Sequence, residues 1–177
     1  MPSPDLVAAI DAVDVARYDG LAYGHQAARW NPLSGAGARS QGGRWNPPQS
    51  FSTLYLAMES QTAVAEFHRM AKRSGRAPHD FMPRRIYRYE LRLASLVDLR
   101  QGPAQAALGL TLDDFGADDP ARCQAIGEAA QYLGREGIIA TSASGRGAVV
   151  AVFFDRLEPD SLVQPIDYET WDAPPKP

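Results

Sequence analysis

Hydrophobic residues recur at helical spacing at the start of the chain, where Leu6, Ile10 and Val13 follow a Ser3-Pro4 pair suited to the N-cap and first helical position. This predicts a short amphipathic helix. From Ala28 to Pro48 the pattern breaks into a long loop, ARWNPLSGAGARSQGGRWNPP, rich in Gly, Pro, Asn and Ser yet carrying Trp30, Trp45 and three arginines. Unstructured loops of that length within a domain are uncommon and often functional. Phe51 to Met58 then reads as a strand, with Thr53, Tyr55 and Ala57 on one face, Leu54, Leu56 and Met58 on the other, and both faces apolar enough to be buried. Ser60 is expected to cap a helix running to about Ser74, with Gly75 placed to end it.

Arg85 to Leu93 alternates cleanly, Tyr87, Tyr89, Leu91 and Leu93 against Arg88, Glu90 and Arg92, which predicts a half-exposed strand followed by a shorter one near Leu96 to Leu99. The acidic TLDDFGADDP is expected to be a loop, and Asp119-Pro120 to open a helix whose stripe is Cys123, Ile126, Ala130 and Leu133. GIIATSASGRGAVVAVFFDRL reads as strand, tight turn and strand, and the proline-rich end DAPPKP as a disordered tail. Short strands with helices packed on them define an α+β fold in a single domain.

Composition narrows the setting. With 177 residues, 45% hydrophobic and 22% charged, the chain has the make-up of one globular domain. A formal net charge of −3 leaves no general footprint for nucleic acid, so no direct nucleic-acid binding is expected. The single cysteine, Cys123, excludes an intramolecular disulfide, and the three histidines lack zinc-site spacing, so no metal is expected. No signal-like start and no stretch of about 20 apolar residues is present, which points to a cytoplasmic protein without a membrane anchor.

Glu66 is the first candidate for chemistry, because it falls on the helix face that carries Ala63, Phe67 and Met70. A carboxylate there is paired, protonated or working, and a helix-edge glutamate that snorkels to solvent or holds a structural ion pair explains the pattern better than a functional role does, which needs support from elsewhere. Tyr55, mid-strand, is either core with its hydroxyl tied down or a flat face for a ligand. Gly42 and Gly43 permit close backbone approach, and Arg44 after them offers a planar fork for phosphate or, equally, for a structural acid. Ser142 and Ser144 lie in a turn without the surroundings of a hydrolase nucleophile.

PLSGAGARSQGGRWNPP, LYLAMESQTAVAEF and GIIATSASGRGAVVAVFFDRL together closely resemble the RES domain, named for its Arg, Glu and Ser, over about Ala16 to Ile166. The resemblance divides the chain into an N-terminal helix (1–15), the RES domain (16–166) and a disordered tail (167–177). It carries the family arginine to Arg44, the tyrosine to Tyr55 and the glutamate to Glu66, the catalytic candidates, and the serine to Ser142, with Ser144 competing. Arg39, Gly43 and Trp45 of the same loop join Arg44, Tyr55 and Ser142 as candidate substrate-binding residues. The family implies an ADP-ribosyltransferase-like split mixed sheet and a toxin of a toxin-antitoxin system that cleaves the nicotinamide-ribose bond of NAD+, as glycohydrolase or phosphorylase. In that chemistry Glu66 stabilises the oxocarbenium, Arg44 holds pyrophosphate or ribose, Tyr55 packs on nicotinamide and Ser142 hydrogen-bonds the dinucleotide. NAD+ is the substrate and no cofactor is required. The partner is a helix-turn-helix (Xre- or ParS-like) antitoxin that blocks the active site. The alternatives are transfer of ADP-ribose to a host protein and a non-catalytic NAD- or partner-binding module.

Overall fold

In the computed structural model, which describes residues 1–177, the chain runs α1 (Pro4–Asp11), β1 (Val15–Ala27), α2 (Ala36–Gln41), β2 (Thr53–Ala57), α3 (Ser60–Ser74), β3 (Arg84–Asp98), α4 (Gly102–Ala107), α5 (Leu112–Gly116), α6 (Ala121–Tyr132), β4 (Gly137–Thr141), β5 (Ala148–Phe153) and β6 (Leu162–Trp171). β3 is the spine. β1 lies antiparallel along one edge of it, from Val15 opposite Val97 to Ala27 opposite Arg84. Its other edge is shared: β6 pairs antiparallel with Arg84–Arg92, and β4 pairs parallel with Leu96–Asp98. β4, β5 and β2 continue antiparallel, and β2 returns to β1 at the single pair Tyr23 and Ala57. The result is the expected α+β domain with a mixed six-stranded sheet, parted where β1 and β2 barely meet.

Period-2 patterning decides how the halves pack. Leu54 and Leu56 of β2 face Tyr87, Tyr89, Leu91 and Leu93 of β3 and Val150 and Val152 of β5 in one core. The opposite face of β4 and β5, with Ile138, Ala140, Ala151 and Phe153, is covered by α1, α5 and α6 through Ile10, Phe115, Cys123, Ile126 and Ala130. Tyr55 lies against this second core. A third cluster sets Phe67 of α3 on Ala57, Ile86 and Trp171.

Several elements differ from expectation. Arg84–Asp98 is one continuous strand, and TLDDF forms a short helix whose start is fixed by the Asp114 carboxylate, which accepts from the Thr111 N–H at 2.7 Å and the Thr111 hydroxyl at 2.8 Å. Ser60 is the first helical residue of α3 rather than its cap; Glu59 precedes it without a side-chain cap bond. Gly75 ends that helix in the left-handed region, φ 68°. β6 runs through Trp171, inside the segment expected to be a disordered tail, because its backbone completes the edge of β3 and Trp171 is buried in the third cluster. Beyond it the Pro175 carbonyl meets His68 Nε2 at 2.8 Å. No helix is long and apolar enough to cross a membrane.

One buried carboxylate is purely architectural. Glu136, fully buried before β4, accepts from the Ala94 and Ser95 amides at 2.6 and 2.8 Å, from the Glu158 amide at 3.0 Å and from the Ser161 hydroxyl. Every lone-pair direction is used on the protein's own backbone and serine, so it ties Ala94 and Ser95 of β3 to the segment leading into β6.

Candidate active site

α3 presents Ala63, Phe67 and Ala71 to the sheet, and Glu66 emerges half-buried at the rim of that stripe. Facing it is the turn between β4 and β5. The Ser142 amide donates to the Gly147 carbonyl at 3.0 Å and the Gly145 amide to the Ser142 carbonyl at 2.9 Å, closing the turn. Gly147 has φ 66°, and any Cβ on it would overlap the Thr62 hydroxyl, so glycine lets the turn press onto α3. That approach delivers two donors to one oxygen of Glu66. The Ser142 hydroxyl and the Ser144 amide, the latter at 3.1 Å, both donate to Oε1. The Ser144 hydroxyl lies 2.6 Å from that of Ser142 and can donate to it in turn. Oε2 has no donor from the protein and is not sealed from solvent.

The arginine loop is built around Tyr55. The Tyr55 hydroxyl donates to Asn46 Oδ1 at 2.8 Å and accepts from the Trp45 amide at 2.8 Å, while Asn46 Nδ2 donates to the Ala38 carbonyl at 2.7 Å. Gly43 lies on the Tyr55 ring so closely that a Cβ would stand 2.5 Å from the hydroxyl and 2.6 Å from ring carbons. Burial drives the phenol's pKa up, outweighing the opposing effects of the Trp45 amide and the Arg44 charge, so the hydroxyl stays protonated. The hydroxyl serves the loop as a strut. Arg44, held by this loop, donates to the Asp114 carbonyl at 3.2 Å and the Ala117 carbonyl at 2.7 Å, around the C-terminal end of α5.

Arg69, three residues beyond Glu66 on α3, enters the same region unannounced by the motifs. Its pKa is pulled down by burial, raised by the charge of Glu66, lowered by Arg73 and Arg44, and raised by Asp118, which puts it in electrostatic reach of both Glu66 and Arg44. Its one hydrogen bond within the protein goes to the Gly116 carbonyl at 3.5 Å. The i, i+3 spacing from Glu66 is the sequence signal that could have found it.

Of the sequence candidates, Glu66, Ser142 and Ser144 converge in direct contact, and Gly43 and Arg44 lie on the loop that Tyr55 of β2 braces. Two do not join them. Trp45 is only 1% exposed, its indole in the helical core beside Phe115, so it packs rather than contacts substrate. Arg39 is exposed in the last turn of α2 and opens onto a separate cavity of about 570 Å³ with Ser50, Gln131 and Asp155, lined by none of the site residues. Ser142 spends its proton on Glu66, which leaves its hydroxyl only acceptor capacity. Asn46, completely buried, is a site-building residue that sequence reasoning passed over within the GGRWN stretch.

The NAD(+) phosphorylases MbcT of Mycobacterium bovis and Mycobacterium tuberculosis are each 35% identical over 159 residues, 89% of this chain and 86% of theirs. The crystal structure of the M. tuberculosis MbcT-MbcA toxin-antitoxin complex contains a chain that superposes with a TM-score of 0.84 at 32% identity, covering 96% of this chain and 93% of that one. The model of the RES domain matches residues 15–175, nearly the whole chain including β6, and this protein belongs to the RES domain family.

Proposed function

We propose that this protein removes nicotinamide from NAD+ and passes the ADP-ribosyl group to inorganic phosphate, lowering NAD+ as the toxin of a toxin-antitoxin pair. The observation that carries this reading is the state of Glu66, with one carboxylate oxygen fixed by Ser142 and Ser144 and the other open. Likeness to relatives named NAD(+) phosphorylase supports phosphate as the acceptor. As the bond from ribose C1 to nicotinamide nitrogen breaks, its electron pair neutralises the pyridinium charge and positive charge builds on the ribose. A carboxylate oxygen held in place before the reaction stabilises that charge without reorganising.

Arg44 has five N–H donors, of which the Asp114 and Ala117 carbonyls occupy two; the rest serve the pyrophosphate or ribose. Tyr55 acts through the loop it braces, and Ser142 through Glu66. Both are positioning residues. The structural likeness to a toxin-antitoxin complex supports a cognate antitoxin as partner, and a helix-turn-helix protein covering this cleft in the cytoplasm is the form we infer.

The test is incubation of purified protein with NAD+, with and without phosphate, identifying the ribose product. ADP-ribose 1-phosphate formed only with phosphate is expected. Free ADP-ribose independent of phosphate, or label on a protein, would replace the acceptor; no nicotinamide release, even with cell lysate as a source of acceptors, would end the reading. Expression should arrest bacterial growth, and co-expression of a small helix-turn-helix protein encoded beside it should restore it.

A further inference from the structure

Phosphorolysis poses an electrostatic problem that hydrolysis does not. A phosphate dianion must approach ribose C1 beside the Glu66 carboxylate and near the dinucleotide's own pyrophosphate, and like charges in a partly dehydrated cleft repel strongly. An acceptor site therefore needs a cation close to Glu66 that neither the protein nor the dinucleotide already saturates. Arg44 is poorly placed for this, since its guanidinium is tied to two carbonyls around the end of α5. Arg146, on the turn, is exposed and directs a guanidinium N–H to Gln61 Oε1 at 3.3 Å.

Arg69 meets the requirement. It leaves α3 on the same face as Glu66, one turn further on, because residues three apart are neighbours on a helix. Its guanidinium carries five N–H donors and spends one, on a 3.5 Å contact with the Gly116 carbonyl. The residue is half-buried, so its charge is less screened than that of Arg73, exposed at the end of the same helix. Its neighbourhood of charge holds Glu66 and Asp118 on the acidic side and Arg44 and Arg73 on the basic side. A planar fork in that position matches two oxygens of a phosphate while leaving a third free to attack.

Resting on the phosphorolysis reading above, we propose that Arg69 binds the phosphate acceptor and sets it against ribose C1 beside Glu66. In the step it serves, one phosphate oxygen forms a bond to C1 as the bond to nicotinamide breaks. The electron pair of that bond stays on the nicotinamide nitrogen, and hydrogen phosphate keeps its proton until the sugar phosphate releases it to solvent.

The experiment measures nicotinamide release by purified wild type, R69Q, R69K and R73Q while NAD+ and inorganic phosphate are varied independently. R69Q should raise the KM for phosphate at least tenfold, leave the KM for NAD+ within twofold, and recover most of kcat at saturating phosphate. R69K should lie between, since an ammonium keeps the charge without the fork. R73Q, which removes the same charge from the same helix, should stay within twofold in both constants. An unchanged phosphate KM in R69Q, a parallel rise in both KM values, or inactivity of folded R69Q at every phosphate concentration would overturn the assignment. Should R69Q not fold, the phosphate KM of R69K decides alone, and a value equal to wild type overturns it. Wild type that consumes NAD+ without regard to phosphate would instead refute the phosphorolysis reading itself, a failure visible before any variant is compared.

Discussion

The Ser142 hydroxyl donates to Oε1 of Glu66 across the gap between the β4–β5 turn and α3, residues 76 positions apart in the chain. With the Ser144 amide at 3.1 Å on the same oxygen, this leaves a carboxylate whose torsion is set and whose second oxygen is open. Ser142 and Glu66 are therefore one hydrogen-bonded device. Ser144 contributes through its amide as well as its hydroxyl, which explains why either serine satisfied the motif.

Ser142→Ala should lower kcat by roughly tenfold, the rate equivalent of losing about 1.5 kcal/mol for one hydrogen bond to a charged group. The Ser144 amide remains, so the loss is partial. In a Glu66→Gln background the same change should cost less, because there is no ionised group left to orient. Kinetics of the two single variants and the double variant test this. Equal losses in both backgrounds would mean that Ser142 contacts substrate independently of Glu66.

Tyr55→Phe removes the donor to Asn46 and the acceptor for the Trp45 amide in one step. Leaving such groups without partners costs about 1–3 kcal/mol, so the melting temperature should fall. Because Arg44 rides on this loop, the KM for NAD+ should rise, while the pH profile of kcat keeps its shape. A changed profile would mean that the phenol itself exchanges protons in the reaction.

How much of this was legible in the sequence depends on what each element buries. β2, α3 and the alternating part of β3 carry the periodicity of their cores, and Leu54, Phe67, Tyr89 and Leu91 stand where the pattern put them. β1 and β6 gave no such signal: Ala22 is the one buried residue of β1, and β6 exposes Gln164, Asp167, Tyr168 and Glu169. Both owe their existence to backbone pairing with β3, a long-range fact that side-chain pattern does not encode. At the site, pattern alone left Arg44, Tyr55 and Glu66 open between structural and functional roles, and only the resemblance to the RES domain singled them out. Trp45 was carried along as a neighbour of Arg44 in the loop, whereas Gly127 of α6 lacks a Cβ and lets the Trp45 backbone, and its indole, settle into the core.

His25 ties stability to pH. Its ring stacks near Trp171 at 6.1 Å and edge-on to Phe67 at 5.6 Å, and its Nδ1 receives Arg84 Nη2 at 3.0 Å. Desolvation, and then the Arg84 charge, lower its pKa to about 3. The unfolded chain binds a proton at His25 near pH 6.5 and the folded chain does not, so the unfolded state holds more protons between about pH 6.5 and 3. Stability must then fall as pH drops through that window, by up to about 1.4 kcal/mol per pH unit from this residue. Melting at pH 7.5 and 5 should show a smaller difference between the two pH values in His25→Gln than in wild type. An identical difference in both proteins would remove His25 from the account.

Glu66→Gln separates catalysis from architecture. Glutamine keeps a carbonyl oxygen able to accept from Ser142 and Ser144, so the contact between α3 and the turn survives, while the negative charge that meets the oxocarbenium is gone. Turnover should drop roughly 10²-fold or more, taking the loss of one charge-stabilising group in other active sites as the measure. The variant should melt near the wild-type temperature, because glutamine keeps the acceptor that Ser142 and Ser144 use. Glu136→Gln supplies the contrast. There the carboxylate satisfies three amides and a hydroxyl in full burial, and replacing one oxygen by an NH2 group sets donor against donor. It should lower the melting temperature sharply while the folded fraction keeps wild-type kcat. An active, destabilised Glu66→Gln protein would give Glu66 the same architectural role as Glu136, and the catalytic assignment would have to be abandoned.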